Sequence, residues 1–119
     1  MDKVNVSEKF ARFTDYWSPK IVGELNEFHV KLVKIEGEFV WHHHEDEDEM
    51  FFVIKGTLIM KLRDKDVVVN EGEFIVIPHG VEHKPVAETE CHIMLFEPKE
   101  TLNTGNVQDE KTVAALEWI

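Results

Sequence analysis

Between residues 21 and 96 the chain is a succession of short apolar runs, each ended by a glycine, a proline or an Asn/Asp turn. Phe28, Val30 and Leu32 alternate with His29 and Lys31, a period-two pattern that slips phase at Val33, as a β-bulge requires. Phe39 and Trp41 follow Gly37, residues 50–54 are apolar on both faces, and Leu58, Met60 and Leu62 alternate again. Residues 63–66 read as a hairpin tip from which 67–69 return, and the turns at Asn70-Glu71-Gly72 and Pro78-His79-Gly80 bracket 74–77. The last clear strand runs from 91 to 96 and stops before Pro98. Short strands of this kind, punctuated so regularly, build a β-sandwich or barrel.

Helices are expected only at the ends. Residues 7–18 read as a helix with Ser7 as N-cap, Phe10, Phe13 and Trp17 on one face, and Ser18-Pro19 as the stop. Residues 101–106 are polar and loop-like, and 109–118 suit a closing helix with Val113 and Leu116 inward. At 119 residues, the expectation is a single domain over 1–119, its barrel core at about 21–97 and its tail at 101–119.

A net charge of −11 argues against nucleic acid and anionic membrane as partners, since both would repel it. No apolar run has the length of a membrane span, and the first residues lack the apolar stretch of a signal peptide. Cys91 stands alone, so no internal disulfide can form. A cytoplasmic location is the expectation from these points together.

The chemistry concentrates in Trp41-His42-His43-His44-Glu45-Asp46-Glu47-Asp48-Glu49. On an extended strand His42 and His44 point to one side and His43 to the other. Glu49 lies far enough on for the chain to turn and bring its carboxylate back. Imidazoles with a carboxylate suit a divalent transition metal, whereas calcium and magnesium want oxygen shells.

The spacing here resembles that of the cupins, small double-stranded β-helix (jelly-roll) barrels. Their first motif is met by Gly37, His42, His44, Glu49 and Gly56, with the leading glycine one residue closer than usual. The second is met by Gly72, Pro78, Gly80 and His83, with Ala87 where an asparagine is usual. The resemblance covers roughly residues 28–97 and implies an all-β jelly-roll with short terminal helices. It also implies that His42, His44, Glu49 and His83 ligate one metal ion, iron, manganese, nickel or zinc. Three neutral imidazoles and one carboxylate leave such an ion a net charge near +1, far cheaper to bury than a bare dication. Phe51, Val53, Met60 and His92 are candidates for the pocket beside it.

The function the resemblance implies is a metal-dependent enzyme, dioxygenase-like or an isomerase or lyase, acting on a small chelating molecule, with Glu49 a candidate base. A non-catalytic ligand-binding or sensing cupin and a sugar isomerase-like cupin are the alternatives. The second is disfavoured by the scarcity of basic residues near the motifs, Lys84 apart. His79 reads as a turn residue, His29 as a half-exposed strand residue, Cys91 as a buried small hydrophobe, and 45–48 as a solvated acidic loop. A homodimer is expected because Phe10, Phe13, Trp17 and Trp118 sit on terminal elements that one small barrel need not cover.

Overall fold

A computed structural model describes residues 1–119. Helix α1 (Val6–Phe10) precedes strands β1 (Lys20–Leu25), β2 (Phe28–Glu38), β3 (Glu49–Lys55), β4 (Leu58–Leu62), β5 (Asp66–Val69), β6 (Phe74–Ile77), β7 (His83–Pro98) and β8 (Glu117–Trp118). The strands form the jelly-roll that the sequence pattern implies, and β7 organises it. Its first residues, 83–86, pair with β4, whereas 92–96 pair with β3. On its other edge it runs antiparallel to β2 over nearly its whole length. The strand expected at 91–96 is therefore the second half of a longer one, which borders both β3 and β4. From Cys91 onward its residues alternate buried and half-buried, so Cys91, Ile93, Leu95 and Glu97 share the inner phase. The apolar members pack with Val33 and Ile35 of β2, Phe51 and Val53 of β3 and Met60 of β4 in the main core cluster. Each such side chain contributes on the order of 1.5–3 kcal/mol through burial.

Gly56 shows how tight the β3–β4 turn is. Its φ is +88°, and a Cβ there would lie 2.9 Å from the carbonyl oxygen of Glu90, so no larger residue fits.

Four sequence expectations are corrected. The β-bulge lies at Ile35/Gly37 rather than at Val33, which stays in register opposite Ile93. The first helix spans Val6–Phe10 alone, capped by Asn5, whose Oδ1 accepts the Glu8 amide at 2.9 Å. It ends early because Trp17, at φ +60°, gives its amide to the Lys34 carbonyl and stacks on Phe39, ring centroids 4.8 Å apart. The closing helix does not form. Asp109 and Thr112 bond each other's backbone, Thr112 also bonds Thr104, and the chain ends as β8, parallel to β1. Finally, Phe10 and Phe13 are buried against Leu32 by the chain's own fold and Trp17 is half-buried; of the four terminal aromatics only Trp118 stays exposed. No helix is long and apolar enough to cross a membrane.

Candidate metal centre

The two motifs meet through the backbone. His42 and His83 form an antiparallel bridge, His42 N–H to His83 O at 3.1 Å and His83 N–H to His42 O at 2.9 Å. Two imidazoles from distant stretches are thereby fixed side by side, ring centroids 4.3 Å apart. His44 follows two residues later on the same side, its carbonyl accepting the Gly80 amide at 2.7 Å. Glu49 opens β3 and supplies the carboxylate. Each of the four residues offers a ligand atom, and these atoms lie within 4.8 Å of one another. All four side chains are buried.

The donor chemistry fits a metal ion. His42 Nδ1 lies 2.8 Å from the Val40 carbonyl and His83 Nδ1 2.9 Å from that of Val81, so each ring donates there and turns its Nε2 lone pair inward. Burial first, and the neighbouring His83 second, push the His42 imidazole down to about 4, keeping it neutral. His44 Nε2 and His83 Nε2 each stand 3.3 Å from Glu49 Oε1, yet none of these three buried atoms has a hydrogen-bond partner. Buried polar atoms are ordinarily paired, and a cation at their centre would satisfy all three at once. Burial opposes charge on Glu49, but the imidazoles of His44 and His83 outweigh it and hold its carboxyl well below the usual range.

The C-terminal segment presses on this strand from outside. Asn106 accepts the His43 amide at 2.8 Å and returns its own amide to the His43 carbonyl. A Cβ on Gly105 would lie only 2.2 Å from that carbonyl oxygen, so the approach requires glycine. Thr104 and Thr101 are buried beside it, so the polar, loop-like segment at 101–106 is packed against the site.

Next to the cluster lies a cavity lined by His42 and Glu49, by Trp17, Val33, Ile35, Phe39, Phe51, Ile93 and Leu95, and by Glu97 and Asn103. The cavity is narrow, with a volume of about 40 Å³. Phe51 lines this wall. Val53 and Met60 are fully buried in the core cluster and do not reach it. His92 points to the opposite face, stacked on Phe10 with its Nε2 2.6 Å from Glu90. His43 pairs with Glu45, and His79 binds exposed Asp48 through its backbone and ring nitrogens, both at 2.9 Å.

Residues 28–97 match the cupin domain family. This chain belongs to that family. A cupin-2 domain containing protein from Shewanella frigidimarina is 51% identical in sequence, with a TM-score of 0.80 over 81% of this cupin and 94% of that chain. The uncharacterized protein YdbB of Bacillus subtilis is 36% identical over 80 residues, 66% of this chain and 65% of that protein. A 3-hydroxyanthranilate 3,4-dioxygenase from Xenopus tropicalis is 26% identical over 101 residues, 79% of this chain but 36% of the enzyme. The cupin thus spans slightly under two thirds of the first curated relative and about a third of the second.

Sequence reading missed Glu97 and Lys31. Both are buried, and Lys31 Nζ donates to Glu97 Oε1 at 3.0 Å. Burial first, and the charge of Glu49 second, raise the Glu97 carboxyl well above its usual range. The signal was present: Glu97 continues the inner phase of Cys91, Ile93 and Leu95, and Lys31 that of Val33 and Ile35. A charged residue in an apolar phase marks such a position.

Proposed function

We propose that this cupin is a metal-dependent enzyme of oxygenase type acting on a small organic molecule that chelates the metal through adjacent oxygens. His42, His44, Glu49 and His83 hold one divalent transition ion: iron, manganese, nickel or zinc. One observation carries the reading: four buried donors, three with unpartnered atoms, gather within 4.8 Å at the wall of a mostly apolar cavity. When bound, the ion supplies Lewis-acid polarisation of its ligand. The chain does the rest. The Val40 and Val81 carbonyls hold two of the imidazoles in the ligating tautomer. Trp17, Phe39 and Phe51 exclude water from the reacting space, and Glu49 is the candidate base. The likeness to 3-hydroxyanthranilate dioxygenases supports an oxygenase over other metal chemistries.

A sugar-phosphate isomerase is disfavoured because neither lysine nor arginine lines the cavity, and Lys84 is engaged with Glu38 at 2.6 Å. Capture of a small ligand without turnover is the second reading, favoured by the narrowness of the space. Elemental analysis of protein purified without added metal comes first; less than about a tenth of an equivalent overturns both readings. Dioxygen uptake by iron-, manganese- and nickel-loaded protein with catechols, flavonols and β-diketones then separates them. Uptake with any pair supports the enzyme, and bound metal without uptake leaves capture.

A further inference from the structure

We infer that the protein pairs with a second copy of itself through the outer face of strands β6, β3, β7 and β2, where an uncharged apolar surface centred on Phe74, Val76, Phe96 and Phe28 packs against the same surface of its partner.

Residues directly opposite one another on neighbouring strands share a face of the sheet. Two rows cross these four strands on the outer side. Val76, Met50, Phe96 and Val30 form one, and Phe74, Phe52, Met94 and Leu32 the other. Neither row holds a charged side chain, although 31% of the chain is charged. An antiparallel sheet that turns one face to water ordinarily carries polar residues there. Only one end of this face is covered by the chain itself, where Phe10 and Phe13 bury Leu32 and pack with Ile54 and Met94. The other end is bare. Phe74 is 60% exposed, Val76 49% and Phe28 38%, with Met50, Phe52 and Phe96 half-buried between them. The Phe28 and Phe96 rings stack with centroids 5.3 Å apart, so these two anchors are already ordered and lose little freedom on docking.

The area suits a second copy. A phenylalanine carries about 150–250 Å² of surface, so these exposures leave roughly 400 Å² of apolar area at the bare end. Homodimer interfaces are roughly 65% apolar, so a contact with its polar rim would cover about 600 Å² per copy and about 1,200 Å² in all, enough for a stable interface. Charge favours the same occupant. At −11 the chain is repelled by anionic surfaces, and a partner drawn by charge finds nothing to grip on this face. A copy of the chain brings an equally uncharged surface, so docking strips water from no charge in either row. A two-fold axis also closes the assembly at two and leaves no apolar surface for a third chain. The remaining exposed terminal aromatic, Trp118, lies on β8 beyond β1 and outside both rows.

Sedimentation velocity on the purified chain, from about 1 to 100 µM, tests this. Wild type should run at twice the 13.9 kDa chain mass at the upper concentrations. Phe74→Glu buries a charge in the contact and should weaken pairing at least about a hundredfold, leaving a monomer of unchanged circular dichroism. Trp118→Glu should stay dimeric. A wild type that is monomeric at every concentration overturns the proposal, as does a Phe74→Glu variant that pairs normally. Loss of the dimer in Trp118→Glu alone would place the contact on the terminal strand and overturn it too. Wild type that remains a monomer but floats with phosphatidylcholine vesicles would assign the face to a lipid surface instead. Should Phe74→Glu not fold, Val76→Glu, at the other exposed position of β6, carries the same expectation and the same refutation.

Discussion

Strand β7 presents a histidine to each face of its sheet, and the two are treated oppositely. His83, on the inner face, is fully buried, and its Nε2 has no partner among the side chains around it. His92, on the outer face, lies flat on Phe10 and meets Glu90, which also accepts the Tyr16 hydroxyl at 2.7 Å. The outer histidine is satisfied by the fold, whereas the inner one waits for something the fold does not contain. Residue type does not distinguish them; polar satisfaction does. The same contrast separates two buried lysines. Lys20 is held by Asp15 at 2.9 Å and Glu117 at 3.0 Å and anchors the chain's end, while Lys31 leads to Glu97, whose second oxygen is free.

The contrast is broken most directly at His83. His83→Ala should reduce metal content at least about tenfold, measured by elemental analysis, because it removes a donor from the centre of the cluster. Retention of a full equivalent would mean that the ion sits elsewhere. On the outer face the effect should fall on stability instead. Phe10→Ala deletes a buried ring packed against Phe13 and Leu32 and should cost about 3–5 kcal/mol in urea unfolding, with metal per folded protein unchanged.

Acid should sharpen the comparison in the metal-free protein. The His42 imidazole is pushed down to about 4 in the fold, below the ordinary 6.5 that applies once the chain unfolds. The unfolded state therefore binds this proton first as pH falls. The stability tied to neutral His42 is complete above about 6.5 and is lost progressively toward 4, by at most roughly 3 kcal/mol. His42→Leu should lose that share of the pH dependence, read as the difference in urea midpoint between pH 7 and pH 4.5. An identical slope in variant and wild type would refute the assignment. The smallest effect is expected for His92→Gln, about 1 kcal/mol or less and no change in metal content; altered metal binding would place His92 in the site after all.

Two features were legible in the chain as written. Alternating apolar runs cut by turn residues specify strands, because side chains two apart must share a face. The His42/His44 pair follows from the same rule, whereas the resemblance to the cupin motifs implied Glu49 and His83 as their partners. Other features depend on contacts that no local pattern encodes. The helix at Val6–Phe10 stops where it does because Trp17 finds Phe39 and the Lys34 carbonyl, residues remote in sequence. His92 faces outward by alternation with Cys91 and Ile93, but the Phe10 ring that covers it comes from α1, and the expected helix near the end gave way to side-chain bonds with Thr104. The pairing of Lys31 with Glu97 beside Glu49 spans 66 positions and exists only once β2 and β7 lie together. Local periodicity can state which side of a strand a residue occupies. Only the assembled sheets decide what stands opposite it, and it is the opposing group that satisfies a buried charge or leaves it open to a guest.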